Sequence, residues 1–329
     1  MESRTKVSLS APEIYSLVCN AFANVRDAPI SEMKDGYFNT VYHIEITSDS
    51  EKFHTVLKVG PSDDTDILSY EAEILQTEVN VMRMLYADNF LPIPRVHYAD
   101  FSREFLPNDY YFMEFIDGVA WNKVRRTLSE EQNHSIEFQL GEITSRVNSH
   151  SNPEFGFCSG HPKFRTWSEA CQYMFRLLFD DAKRYRTELP ITGEDFFSLF
   201  DSHSSNFCEV NLSQLVLWDL WPGNVFIKFE RGNPYISGII DFERSFWGDP
   251  LCEYFYRGFE QHKHFTKGYG QDLLTTPSQL ARSLFYDIYM DLVLIIECGP
   301  RQYTNNNQDT WARKRLSSDL VKLYSFDTT

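Results

Sequence analysis

Apolar residues recur along this chain with two periods, and the positions where the period changes mark its elements. Ser10-Ala11-Pro12-Glu13 reads as a helix start, with a serine to cap, a proline inside the first turn and a glutamate to return the bond. Ile14, Leu17, Val18, Ala21 and Phe22 follow at helical spacing, so the chain is expected to open on an amphipathic helix. From Ile30 to Ile46 the pattern becomes strand, turn and strand, the turn being Asp35-Gly36-Tyr37-Phe38-Asn39-Thr40, and Phe53 to Val59 reads as a third strand. Helical spacing returns from Ser69 to Leu85, where Leu75, Val79, Met82 and Leu85 make one stripe. Strand character resumes from Arg95 to Tyr98 and again in the apolar run that begins at Asp109 and ends in a polar turn at Gly118. Asp117 to Trp121 is therefore a candidate junction between two lobes.

Further helices are expected after the capping box Ser129-Glu130-Glu131-Gln132, with Ile136, Leu140, Ile143 and Val147 inward, and from Trp167 to about Arg186. Asn148 to Pro153 is a polar loop, and a late helix carries Leu284, Ile288, Leu292 and Ile295 as its stripe. Between them, Leu215-Val216-Leu217 reads as a strand entering a tight turn, and Val225 onward with Tyr235 to Ile240 as a hairpin leaving it. Internal repeats and low-complexity linkers are absent from the sequence.

That turn and hairpin carry the chemistry. Asp219, Asn224 and Asp241 should converge at one end of the hairpin, an oxygen-rich set suited to Mg²⁺ with a phosphorylated ligand. Asp-x-x-x-x-Asn followed by an Asp at a strand end is also the spacing of the kinase catalytic loop and its metal-binding Asp. Lys58 stands in the apolar strand Thr55-Val56-Leu57-Lys58-Val59, where a buried ammonium is costly unless it faces an anion. Glu78, on the next helix, is the natural partner, although an edge-strand lysine pointing to solvent is the plain alternative. Gly36 with Asn39 and Thr40 is a weak phosphate-loop signal, since most such units are ordinary hairpins. Asp287 and Asp291 share a helical face that would suit an amine, but a solvated acidic face is the ordinary expectation. His262 with His264, and Cys158 with His161, are expected to be surface or core residues rather than metal ligands.

Composition narrows the picture. At 329 residues, 42% hydrophobic and 16% aromatic, the chain can bury the core of two packed lobes. A formal charge of −16 argues against nucleic-acid or anionic-membrane partners and is compatible with a cationic substrate. Six cysteines without a Cys-x-x-Cys pair fit buried thiols in a reducing compartment. No apolar run reaches the length of a membrane span and no signal peptide is visible, so a cytoplasmic protein is expected.

In this order and spacing, the Gly36 turn, Lys58, Glu78, the Leu91 to Val96 segment, Phe112 to Gly118, the Asp219 loop and Ile239 to Pro250 resemble the aminoglycoside phosphotransferase family. These are small-molecule kinases that share the protein-kinase fold. The resemblance implies an α+β, two-lobed fold, with a smaller antiparallel-sheet lobe at 1–117 and a larger, mostly helical lobe at 118–329. It implies that Asp219 is the base for the acceptor hydroxyl and that Asn224 and Asp241 hold Mg²⁺. Lys58 would bind the phosphates of ATP, or of GTP, beside Gly36, Asn39 and Thr40, with Glu78 orienting Lys58 and the backbone of Glu114 and Ile116 facing adenine. The acceptor, a small hydroxylated molecule, aminoglycoside-like or otherwise, would lie against 166–200 and 277–323.

The chain departs from the family at one place: Leu217-Trp218-Asp219 stands where His-Gly-Asp is usual. The missing imidazole would cost about 1–3 kcal/mol if it orphans a buried partner. A catalytically silent, nucleotide- or ligand-binding relative is therefore the alternative reading. Trp218 and Trp221 are read as pocket walls or core, and Asp249 of Gly248-Asp249-Pro250 as a structural brace. The sequence leaves the oligomeric state open.

Overall fold

The computed structural model describes residues 5–33, 38–256, 262–303 and 307–326. Helix α1 (Ala11–Ala21) starts at the expected serine and buries Ile14, Leu17 and Val18. Six antiparallel strands follow around α2: β1 (Val25–Asp27), β2 (Ile30–Met33), β3 (Thr40–Ser48), β4 (Lys52–Val59), β5 (Val96–Asp100) and β6 (Tyr110–Glu114). Their order is β1-β3-β4-β6-β5, with β2 also on β3. The two faces of this sheet bury different partners. Tyr42, Ile44, Ile46, Leu57 and Val59 pack with α1, whereas Val56, Tyr111 and Met113 join the core on the α2 side. Because strand side chains alternate, Lys58 lies on the same face as Val56, toward α2.

Helix α2 (Ile74–Tyr86) begins later than its apolar spacing suggests. Residues Ser69–Glu71 form a single tight turn, Ala72 is extended and Glu73 has φ of +55°. The cause is tertiary. Asp181 accepts bonds from both the backbone N–H (2.6 Å) and hydroxyl (2.7 Å) of Ser69, and Glu71 is tied to Arg301, so the segment is pulled out of helical register.

The remaining chain is mostly helical. It runs through β7 (Val119–Ala120), α3 (Trp121–Val124), α4 (Glu130–Asn148), β8 (Ser151–Asn152), β9 (Gly156–Phe157), α5 (Trp167–Arg184), α6 (Gly193–Ser202) and α7 (Ser204–Phe207). Then come β10 (Ser213–Val216), the hairpin β11 (Val225–Glu230) and β12 (Asn233–Ile239), β13 (Phe246–Gly248), α8 (Lys263–Tyr269), α9 (Pro277–Ile296), α10 (Cys298–Arg301) and α11 (Asn307–Phe326). Short strands frame the hairpin in two small sheets, β8-β10-β13-β9 and β12-β11-β7. Part of the expected loop at 148–153 is thus strand, because Ser151 and Asn152 pair with Gln214 and Ser213.

Helix α9 is the centre of this half. Phe285 meets Phe175, Phe196, Phe200 and Phe207 in edge-to-face contacts that favour fixed ring geometry. The acidic face expected to be solvated is in fact buried: Asp287 and Asp291 are 4% and 0% exposed. Helix α11 covers them and brings Arg315 within 3.4 Å of Asp287 and 3.6 Å of Asp291. Helical spacing cannot reveal that partner, since the pair is made across two helices.

Helices α4 and α8 cross on two glycines. A Cβ at Gly141 would fall under 3.0 Å from the Phe265 carbonyl oxygen and the Tyr269 backbone nitrogen, and one at Gly268 would strike the Phe138 carbonyl. Backbone faces backbone there, so neither side can yield cheaply. Gly141→Ala is expected to lower stability by about 2–3 kcal/mol, read as a reduced midpoint in urea unfolding with an unchanged slope.

Candidate active site

Three elements deliver their side chains to one cluster. The β4 alternation points Lys58 toward α2, α2 supplies Glu78, and the chain leaving β12 supplies Asp241 and Glu243. The Lys58 ammonium lies 2.7 Å from Glu78, 3.0 Å from Asp241 and 2.9 Å from Glu243. One oxygen from each carboxylate lies within 4.8 Å of the others, the group among the described residues that is spaced to hold a cation. The plain alternative of a solvent-pointing lysine is overturned, because the Lys58 side chain is only 9% exposed.

Burial works against the charge on Lys58, but Asp241, Glu243 and Glu78 outweigh it and hold its pKa well above the ordinary value. Burial raises Glu78, which Asp241 raises further and Lys58 opposes. Glu243 is pushed up to about 7, by burial first and then by repulsion from Asp241 and Glu78. Sequence reasoning missed Glu243. Its signal was present: it stands two residues after Asp241, and a Glu at that offset can share the metal face.

Asn224 ties this cluster to the loop that carries Asp219. Its amide donates to the Asp219 carbonyl at 2.8 Å and to the Asp241 carboxylate at 3.5 Å. Next to them the backbone is strained, with φ of +65° at Trp218 and +72° at Asp241. The Asp219 N–H bonds to the Leu217 carbonyl at 2.8 Å, closing a tight turn centred on Trp218. The usual family glycine would adopt this conformation freely; tryptophan is held in it.

The holding group is Glu253. It is 1% exposed, and its two oxygens accept the N–H groups of Leu217 (2.9 Å) and Trp218 (3.2 Å). Asn148 donates to Glu253 at 2.9 Å and to the Leu215 carbonyl at 2.6 Å, and Tyr269 donates to Asn148 at 3.0 Å. Leu217 itself is core, at 2% exposure. The loop is therefore braced through its backbone by a glutamate from the segment after β13, which nothing near Leu217 in sequence could announce.

Arg244 closes the other side. Its Nε is 3.9 Å from Asp219, its terminal nitrogen 3.5 Å from Glu297, and its guanidinium lies 5.4 Å from the Trp218 ring centre and 5.9 Å from that of Tyr70. Burial opposes its charge, yet Tyr70, Asp219 and Glu297 keep its pKa well above the ordinary value. Glu297 in turn is held by Arg301 at 2.5 Å and Gln308 at 2.6 Å.

The other expected site residues fall in several places. Gly36 lies outside the described residues. Asn39 is buried and donates to Glu243 at 2.6 Å, which brings it to the cluster, whereas the Thr40 hydroxyl accepts the Val7 N–H at 2.9 Å and faces the N-terminal segment. The Glu114 N–H is spent on the Arg95 carbonyl at 2.8 Å, and Ile116 packs over Gly238. Trp218 is buried and Trp221 half-buried. Asp249 accepts Arg282 at 2.8 Å and Tyr286 at 2.7 Å, bracing α9. His262 sits 3.5 Å from Glu137, and His264 stacks on His134. Burial pushes the Cys158 thiol up to about 12, while His161 meets the Tyr173 hydroxyl at 3.3 Å.

The family model described as phosphotransferase enzyme family matches residues 29–281. Among solved structures, a putative aminoglycoside phosphotransferase from Ralstonia eutropha JMP134 is 14% identical, with a TM-score of 0.64, covering 97% of this chain and 98% of its own. A thermostable mutant of aminoglycoside phosphotransferase APH(4)-Ia, in a ternary complex with AMP-PNP and hygromycin B, is 17% identical, with a TM-score of 0.62 over 94% and 98%. The streptomycin-ATP-APH(2")-IIa ternary complex is 16% identical, with a TM-score of 0.57 over 97% of each chain. At these identities the likeness is one of fold. None of the curated proteins compared matches the chain.

Glu253→Ala leaves two buried loop N–H groups unpaired and should cost about 3 kcal/mol, measured by urea unfolding, while Glu253→Gln should lose less. Glu243 has a folded pKa of about 7 against an ordinary value of 4.5, so its contribution to stability is full below the unfolded value and lost as pH rises through 7. Thermal melts without metal should fall across that window, and Glu243→Gln should flatten the fall.

Proposed function

The chain belongs to the phosphotransferase enzyme family, and from that premise we propose that it transfers the terminal phosphoryl group of ATP to a hydroxyl of a small molecule. The observation that carries the reading is the Asn224 amide, which joins the Asp219 carbonyl to Asp241 beside the Lys58 ion cluster. In this reading Asp219 serves the acceptor, and the Lys58 ammonium with the oxygens of Asn224, Asp241 and Glu243 serves the nucleotide and its metal. The division into a nucleotide-binding part at 1–117 and an acceptor part at 118–329 belongs to the same proposal. Structures of similar proteins in complex with ATP, AMP-PNP or GDP support a nucleotide as donor and leave ATP against GTP to experiment.

In this reading Lys58 binds phosphate oxygens and Glu78 holds Lys58 in place. Asp241 and Asn224, with Glu243, offer the hard oxygen ligands that suit Mg²⁺, and the crowding of carboxylates around a single ammonium fits a site built for more positive charge. Bound Mg²⁺ supplies charge neutralisation at the phosphates. Asp219, with its side chain 28% exposed, is open to the acceptor and takes the hydroxyl proton. The acceptor oxygen bonds to the terminal phosphorus as the bond to the bridging oxygen breaks, and the nucleoside diphosphate leaves. Little covalent work falls to the protein, so alignment and charge carry the rate.

The silent-binder alternative drew its force from Leu217. That force is reduced by Glu253, which pairs the backbone of the loop without an imidazole. Asp219→Ala is expected to lower product formation by about a thousandfold while nucleotide affinity stays within about threefold. Mass spectrometry of product and titration calorimetry of nucleotide check the two halves, and unchanged turnover would remove Asp219 from the reaction.

A further inference from the structure

The acceptor side of Asp219 contains donors whose hydrogen bonds are incomplete. Arg244, 13% exposed at its side chain, has five N–H donors, yet among the described residues it makes one long hydrogen bond, to Glu297 at 3.5 Å, and a looser ion pair with Asp219 at 3.9 Å. The Tyr70 hydroxyl, buried on a residue 6% exposed whose ring lies beneath the same guanidinium, has no partner among the described residues. Neither does Nε of Arg301, which shares Glu297 with Arg244.

Glu71 and Glu297, the carboxylates beside these donors, are hydrogen-bonded. Asp287 and Asp291 lie against Arg315, Glu71 is bound by Arg301 at 2.5 Å and by the Leu68 N–H at 2.8 Å, and Glu297 is held by Arg301 and Gln308. Apart from Asp219, the carboxylates that act on Arg244 (Glu297 and Glu71) are already engaged inside the fold. What remains beside Asp219 is a guanidinium and a phenol, the pair that complements an oxyanion. An ammonium placed there would meet Arg244 at short range in a half-dry cleft. The −16 net charge does not reverse this, since a field screened within about 8 Å leaves the local groups to decide.

We propose that the acceptor carries a carboxylate or another oxyanion beside the hydroxyl to be phosphorylated, seated on Arg244 and Tyr70. The inference rests on the phosphotransferase reading and names its substrate class.

The test uses acceptors matched in carbon chain, in which one hydroxyl-bearing position is replaced by a carboxylate or an amine: gluconate, sorbitol and glucamine, then glycerate, glycerol and serinol, with kanamycin as the polycation. Each is incubated with the full chain, ATP and Mg²⁺, and kcat and KM are taken from product mass. The oxyanion member of each set should be favoured by about tenfold or more in kcat/KM. Tyr70→Phe removes a hydroxyl that the fold leaves unpaired, so the variant should stay folded. It and Arg244→Met should cut the gluconate-to-sorbitol ratio by about fivefold or more, mainly through the KM of gluconate. A preference for glucamine, serinol or kanamycin, or a ratio unmoved in both variants, overturns the inference and leaves the kinase reading standing. Bound ATP with no product from any charge class overturns the kinase reading and the inference with it.

Discussion

One buried ammonium surrounded by three carboxylates is the constraint on which the rest depends. Charges in a low-dielectric interior are tolerated only when paired and hydrogen-bonded, and removing one partner of such a set strands the others. The fold meets this by bringing one strand, one helix and one hairpin end to within 3.0 Å of Lys58. The sheet alternation fixes where Lys58 points, α2 fixes Glu78, and Asn224 carries the arrangement across to the Asp219 loop. Burial first, and then repulsion from Asp241 and Glu78, pushes Glu243 up to about 7 despite the neighbouring ammonium.

Backbone strain sits beside both proposed chemical carboxylates. Trp218 and Asp241 each have positive φ, and such residues persist only where their surroundings over-determine them. At Trp218 the surroundings are Glu253, Asn148 and Tyr269, a buried polar chain that terminates on the loop backbone. In this chain the turn before Asp219 is held through its backbone by the Glu253 network, with no imidazole involved.

Much of this was legible in the sequence where a rule of spacing applied. The apolar run around Lys58 and a glutamate on the striped helix that follows made their pairing the natural expectation, with a solvent-pointing lysine as the alternative, and the capping boxes located α1 and α4 closely. Spacing failed where distant segments decided the outcome. Asp181 and Arg301 broke the helix expected from Ser69, Arg315 turned the expected solvated face of α9 inward, and Glu253 and Arg244 reached the loop from beyond the hairpin. Thr40 was a weak phosphate-loop candidate, and its hydroxyl pairs with Val7, on a segment with no sequence mark of that contact.

The central claim is that the Lys58 cluster is where nucleotide phosphates and a divalent cation meet. Calorimetric titration of ATP into the protein, with Mg²⁺ and with a chelator, tests it most directly when repeated on Asp241→Asn. The account predicts that Mg²⁺ tightens ATP binding by about tenfold or more in the native chain and that the gain disappears in the variant. An ATP affinity indifferent to Mg²⁺, or a gain that survives in Asp241→Asn, would contradict it.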